Sequence, residues 1–409
     1  MRLLHTSDWH LGQHFMGKSR QPEHQALINW LLSTCAEQQI DAVIIAGDVF
    51  DTGAPPSYAR ELYNQLVLRL HEAGVGLLVL GGNHDSPAVL GESQALLACL
   101  GTQVVPAADQ PATQVQLLKQ RNGQAGCIVC AIPFIRPRDL LTSSAGQSGE
   151  EKQAALLNAI AAHYGERYAE AQALQARLAA ECGPLPIIAT GHLTTVGASA
   201  SESVREIYVG ALEAFPTTAF PPVSYLALGH IHRPQKIGGH EHLRYSGSPL
   251  PLSFDEASQQ KEMLLVELSE GNCQVTPLPV PRFQALVTCE CTLAELPARI
   301  GSAAAQGSYE QPAWLEITIA ADDYLPDLPA RVQAVCEGLP VEVLRIRKAR
   351  GQRTASLQTE AHETLDELSP EEVFSRRLGQ EELTDELRSA LTQRYQSILS
   401  RLNDSEADA

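Results

Sequence analysis

The sequence predicts an α/β layered protein with a small second domain and a helical tail. Three observations predict it: apolar strands alternating with amphipathic helices through residues 1–280, a β-α-β-α-β order that restarts at Pro281, and an acidic, helix-patterned stretch over residues 351–409. The first strand-like runs are 2–6, 42–46, 75–80, 127–132, 186–190 and 225–228. Between the first two, Leu27, Ile28, Leu31, Leu32 and Cys35 recur at helical spacing, and 56–71 reads as a second helix. Strands that are apolar at every position imply a sheet covered on both faces by helices. In such sheets ligands gather beyond the carboxyl ends of the strands.

From Pro281 the order is strand 283–291, helix 293–304, strand 313–320, helix 328–337 and strand 341–347, a small two-layer domain of residues 281–350. Arg345, Arg347, Lys348 and Arg350 close it; such a cluster serves either as phosphate-backbone contacts or as a solvated strand edge. Residues 351–368 read as a polar linker. Ser369-Pro370-Glu371-Glu372 then supplies an N-cap, a proline at the first helical position and a capping-box glutamate. Farther on, Leu383, Leu387, Leu391, Ile398 and Leu402 form an apolar stripe that needs a partner surface or folds back on its own chain.

The 409 residues carry 30 Lys plus Arg against 48 Asp plus Glu, a formal charge of −18. This excludes a histone-like, tail-driven nucleic-acid binder, because phosphate backbones attract clustered cations. It leaves open an enzyme whose positive charge arrives as metal ions. Residues 351–409 hold 6 basic and 13 acidic side chains, so more than a third of the excess sits in the tail. At 44% hydrophobic the composition is that of a globular protein of two or three domains. The 9 cysteines lack framework spacing, and the Cys127-x-x-Cys130 pair lies in an apolar strand, which suits buried free thiols in a reducing compartment. The start turns polar within five residues, and no run approaches the ~20 apolar residues a membrane span needs. A cytoplasmic protein with no membrane association is expected.

The short segments just past the strand ends carry the chemistry. After the first strand comes Ser7-Asp8-Trp9-His10; after the second, Gly47-Asp48-Val49-Phe50-Asp51; after the third, Gly81-Gly82-Asn83-His84-Asp85. Gly191-His192 and Gly229-His230-Ile231-His232 come after the later ones. Asp-x-His and His-x-His place alternate side chains on one side of an extended segment, so both reach one point. The preceding glycines allow a sharp exit from the sheet and a close backbone approach to an ion or phosphate. A lone histidine at a strand end is ordinarily solvated, and a lone Asp before a helix is ordinarily an N-cap. Capping does not call for histidine, however, and converging His and carboxylate groups at successive strand ends define a metal or catalytic site. Imidazole nitrogen mixed with carboxylate and carboxamide oxygen suits manganese, iron or zinc better than calcium, and Asp48 is placed to bridge two ions. His5, His71, His240 and His242 read as structural or solvated, and Trp9 as a wall of the site more than a stacking platform.

Asp8-x-His10, Gly47-Asp48-x-x-Asp51, Gly82-Asn83-His84-Asp85, Gly191-His192 and Gly229-His230-x-His232 resemble the five ordered motifs of the calcineurin-like metallophosphoesterases. Residues 1–12 and 47–56 resemble more narrowly the SbcD family of bacterial nuclease subunits, and the likeness covers essentially the whole chain. The resemblance implies a layered β-sandwich flanked by helices as a nuclease domain over 1–280, a capping domain over 281–350, and a tail over 351–409 that docks on an SbcC-type coiled-coil ATPase. It implies two divalent ions, manganese foremost: one held by Asp8, His10, Asp48 and His232, the other by Asp48, Asn83, His192 and His230. His84 then contacts the phosphate and protonates the leaving 3′ oxygen. Some relatives have histidine where this chain has Asp51, which either orients His84 or caps the next helix. Also implied are a homodimer within a heterotetramer and ATP-dependent cleavage of DNA in end processing, recombination and replication. The activity would be 3′–5′ exonucleolytic on double strands and endonucleolytic on hairpin or single-stranded structures. The alternative within the superfamily is a phosphatase or cyclic-nucleotide phosphodiesterase. A scaffold with a vestigial site is opposed by the complete ligand set.

Overall fold

Strand β1 (Arg2–Thr6) leads into a ribbon of β2 (His14–Phe15) and β3 (Lys18–Ser19), then α1 (Gln21–Glu37), β4 (Ala42–Ala46), α2 (Ser57–Glu72) and β5 (Gly76–Leu80). Short helices α3 (Pro87–Gly91) and α4 (Gln94–Cys99) precede β6 (Thr102–Val105), β7 (Val115–Lys119) and β8 (Ala125–Cys130). After α5 (Pro137–Leu140) and the long α6 (Gly149–Cys182) come β9 (Ile187–His192), β10 (Tyr225–Gly229), β11 (Gln235–Ile237), β12 (His240–Tyr245), β13 (Glu262–Ser269) and β14 (Asn272–Pro279). The last part holds β15 (Leu286–Cys291), α7 (Leu296–Ala304), β16 (Ala313–Ile319), α8 (Leu328–Cys336) and β17 (Val341–Lys348). This computed structural model describes residues 1–141, 148–201, 203–204, 214–269, 271–319, 327–348 and 394. The tail helix start at 369–372, the 383–402 stripe and Arg350 lie outside the described residues, as does the side chain of Lys348.

Two six-stranded sheets stack face to face, in the orders β14-β13-β1-β4-β5-β6 and β11-β12-β10-β9-β8-β7. This is the layered sandwich the resemblance implies, and it corrects the reading of one sheet with helices on both faces drawn from the apolar strands alone. Each sheet has helices on one face and the other sheet on its second face. Strand β4 shows why the sequence pattern misled: Val43 and Ile45 point into a core with Leu27, Leu31, Leu62 and Leu66 of α1 and α2. Ala42, Ile44 and Ala46 point into the inter-sheet core with Val129, Ile188 and Ala227. Both faces are dry, so every position is apolar, and periodicity cannot say whether helix or sheet covers each face. On the far side Leu156, Ile160 and Tyr164 of α6 cover Ile128, Ala189 and Leu226.

Strands β1, β4 and β5 are parallel neighbours, as are β9 and β10, so their carboxyl ends share an edge. The third sheet, β15-β16-β17, is all parallel, with α7 and α8 as crossovers over Leu315, Ile317 and Ile319. It packs on the sandwich through Phe15, Phe254, Leu286 and Trp314, with the Phe15 and Trp314 rings stacked at 5.7 Å. All nine cysteines are free, and burial raises the Cys127 and Cys130 thiols to about 12, which leaves them unreactive. No helix among the described residues is long and apolar enough to cross a membrane.

Candidate metal centre

At the shared edge the chain leaves β1, β4 and β10 in left-handed backbone, with φ of 54° at Asp8, 48° at His10, 51° at Asp48 and 91° at His230. Non-glycine residues adopt this region rarely, and its concentration here marks a site over-determined by its surroundings. Backbone bonds from Asp8 N to Gly47 O (3.0 Å) and from Trp9 N to Asp48 O (2.9 Å) lock the first two loops together. Gly47 has φ of 92°, and a Cβ there would fall 2.2 Å from His192 Nδ1; one at Gly82 would fall 2.1 Å from Asp48 Oδ1. The glycines thus admit neighbouring site side chains, a closer constraint than the approach of an ion.

Two buried groups result. Asp8, His10 and His232 offer ligand atoms within 4.8 Å of one another, and so do Asp48, His192 and His230. Asp48 also groups with His10 and His84, so it stands between the two sets. Its Oδ2 is 3.3 Å from His192 Nε2 and 3.8 Å from His10 Nε2. Asn83 Oδ1 lies 2.9 Å from His192 Nε2 and 3.2 Å from His230 Nδ1, which places it beside the second set. All seven ligand-type residues expected from the strand ends therefore meet.

The residues fit divalent ions on three counts. The donor set mixes imidazole, carboxylate and carboxamide. The buried Nε2 atoms of His10 and His230 have no hydrogen-bond partner among the described residues, which a protein without a ligand there would not tolerate cheaply. His192 Nδ1 donates to the Ala46 carbonyl at 2.9 Å, which fixes its tautomer and leaves Nε2 facing Asp48. The charges agree. Burial would lower the His192 pKa, but the Asp48 carboxylate outweighs it and raises the ring to about 9. Burial would raise Asp48, but His192 holds its carboxyl well below the usual range. His230 is driven well below normal by burial and by the neighbouring His192.

His84 sits at the rim, its ring 4.6 Å from that of His10. Its Nδ1 donates to the Asp51 backbone carbonyl at 2.7 Å, leaving Nε2 as the other ring nitrogen. Asp51 does not cap α2, whose N-cap is Pro56. Its carboxylate instead lies 3.2 Å from His10 Nδ1. Trp9 is fully buried and donates Nε1–H to Thr6 Oγ1 at 2.9 Å, so it is a wall of the site with no face for a base. His5 is buried against Tyr225 at 2.8 Å, while His240 opens β12 where a turn was expected; the turn is Gly238-Gly239. Arg345 pairs with Glu316 and lies over the Phe254 ring at 5.9 Å, so it serves the junction between sheets. Arg347, half-exposed, reaches the same Glu316 at 3.5 Å.

Sequence reasoning missed the support. Asp85 accepts the amides of Gly82 (2.8 Å), Val49 (3.1 Å) and Phe50 (2.9 Å), clamping two site loops. Burial, then the Asp48 charge, raise its pKa to about 6 against those bonds. Asp8 is held by Ser7 Oγ at 2.6 Å, itself 2.9 Å from Ser246 Oγ. The carboxylate after Asn-His was a legible signal for Asp85; nothing local singled out Ser246.

Residues 1–234 match the family model for the calcineurin-like phosphoesterases, and residues 282–382 match one described as Type 5 capsule protein repressor C-terminal domain. The chain is 51% identical to the SbcD subunit of the nuclease SbcCD from Escherichia coli K12, covering 98% of each. The proteins of the same description from Rhodobacter capsulatus and Bacillus subtilis are each 32% identical, over 92% and 66% of this chain and 94% and 67% of theirs. Fold and site define the class, a metal-dependent phosphodiesterase of the calcineurin-like kind. Within that class the chain belongs to the SbcD family of nuclease subunits.

Proposed function

We propose that this chain is the cleaving subunit of an SbcC-dependent DNA nuclease. It would degrade double-stranded ends 3′–5′ and open hairpin or single-stranded structures endonucleolytically, with ATP control from its partner, during DNA end processing, recombination and replication in the cytoplasm. The observation that carries the reading is the pair of buried ligand groups, Asp8 with His10 and His232 and Asp48 with His192 and His230, linked because Asp48 also groups with His10. The relatives named as SbcD subunits of the nuclease SbcCD support the nuclease and partner assignments.

Asp8, His10, Asp48 and His232 would hold one divalent ion, and Asp48, Asn83, His192 and His230 the other; the donor set suits manganese, iron or zinc, and the family resemblance puts manganese first. Such ions, when bound, supply Lewis acidity at the phosphate and activate the nucleophile. The chain itself orients and moves protons. Asp51 fixes the His84 ring through its carbonyl, so His84 as an imidazolium can give its Nε2 proton to the leaving 3′ oxygen. Of the two described arginine side chains of its cluster, Arg347 is the more exposed and would meet a phosphate backbone, with Lys348 beside it in the sequence. The small sheet, residues 281–350, would cap the site, and residues 351–409 would dock on the SbcC-type ATPase, two copies of each chain forming a heterotetramer.

The test is cleavage of end-labelled duplex and hairpin DNA by the chain with its ATPase partner, manganese and ATP. Nucleotide release that EDTA abolishes is expected. Efficient turnover of a chromogenic phosphomonoester with intact DNA would overturn the reading in favour of a phosphatase.

A further inference from the structure

Beneath the first ligand group lies a buried ion pair outside the expected ligand set. Glu256, fully buried, ends a short turn (Phe254–Glu256) between β12 and β13. Its Oε2 accepts Lys261 Nζ–H at 2.6 Å and the Leu252 amide at 3.0 Å. Its Oε1 accepts the hydroxyl protons of Ser203 at 2.5 Å and Ser201 at 2.6 Å. Ser203 Oγ is also 2.6 Å from His232 Nδ1. A serine has one proton, and Ser203 gives its own to the carboxylate. Toward His232 it can therefore only accept, so Nδ1 carries the ring proton and Nε2 keeps its lone pair. Lys261 completes the grip by donating to the His232 carbonyl at 2.9 Å.

We propose that Glu256, acting through Ser203, is a positioning residue that sets the tautomer and direction of His232 so that Nε2 faces the ion held with Asp8 and His10; the inference rests on the two-ion reading above. Stability alone does not account for the pair, because a buried ion pair gains little over an apolar pair of the same shape. What it does supply is a set of bonds converging on one ring and its own carbonyl. The turn is held from its other side too. Phe254 meets the Phe15 ring edge-on at 5.0 Å and lies under Arg345 of the small sheet, so the carboxylate has a fixed platform.

The test is titration of the full-length chain with manganese alone, followed by calorimetry, in wild type, Ser203→Ala, Ser203→Thr and Glu256→Gln. Ser203→Ala leaves the Glu256–Lys261 pair intact, so it carries the test even where Glu256→Gln fails to fold. Wild type is expected to take up two ions. Ser203→Ala should weaken one of them by roughly 10- to 100-fold and leave the other within about twofold, the size seen when a ligand histidine loses its outer partner. Ser203→Thr, which keeps the hydroxyl, should restore the affinity. Isotherms of Ser203→Ala that superimpose on wild type, or equal weakening of both ions, would overturn the positioning role while the two-ion reading stands. A wild-type chain that binds no manganese would overturn the two-ion reading and this inference with it.

Discussion

The Phe50 amide donates to the Asp85 carboxylate at 2.9 Å, tying the loop after β4 to the loop after β5. With Val49 and Gly82, three amides depend on this one side chain, and both loops carry site residues. Asp85→Ala leaves those donors buried without a partner. A loss of about 2–4 kcal/mol is expected, since each stranded group costs about 1–3 kcal/mol and partial relaxation recovers some of it. Urea unfolding measures it, and an unchanged midpoint would remove the clamp.

Asp48 lies between both ligand groups. Asp48→Ala should abolish DNA cleavage and manganese uptake together. Metal analysis after gel filtration decides the point: a variant that retains two ions cannot be reconciled with a shared carboxylate.

His84 stands at the rim with one ring nitrogen donated to Asp51. His84→Gln should bind manganese as wild type does and lose about 10²- to 10⁴-fold in turnover, the usual worth of a positioned general acid. Single-turnover rates on end-labelled duplex, compared with calorimetric manganese affinity, separate the two effects.

Burial lowers the pKa of His5 and of His24 to about 3. In the unfolded chain such rings titrate near 6.5, so below that pH the unfolded state takes protons that the folded state refuses. Stability is therefore complete above about pH 6.5 and declines as the pH falls toward 3, by roughly 2 kcal/mol per ring at pH 5. Urea midpoints at pH 7.5 and pH 5 test this. His5→Gln should flatten the decline by about one ring's share; an unchanged slope would exclude His5 as a contributor.

Met1–Gly351 forms one compact unit that contains the whole metal centre. A chain ending at residue 351 should bind manganese with unaltered affinity and fail to co-purify with its ATPase partner. Co-purification of the shortened chain would place the docking surface elsewhere.

The seven ligand-type residues were legible because each sits in a short motif directly after an apolar strand, where glycine, carboxylate and imidazole are adjacent in the chain. The parallel order that aligns those strand ends follows from the strand-helix-strand repeat. Less of the architecture was legible. The layered sandwich follows from the family resemblance, whereas periodicity alone merges the second sheet with the first, because strands buried on both faces look the same whatever covers them. The strands expected from the sequence do not include β13 and β14, although β13 pairs directly with β1, Leu4 against Leu265. The sequence leaves Arg345 either as a phosphate contact or as part of a solvated strand edge, and only the fold shows Glu316, on the neighbouring strand, holding it.

Chemistry of the kind that a few consecutive residues carry was thus decided in the sequence: which side chains are offered, at which strand ends, and for what class of ion. The tertiary structure alone decided which atoms of those side chains face one another. Ser203, Glu256 and Lys261 meet His232, and Ser246 meets the Ser7 that holds Asp8, only after the chain has closed on itself. A ring's tautomer and direction depend on such contacts between residues distant in the chain, and a hydrogen bond formed across that distance leaves no local pattern to read.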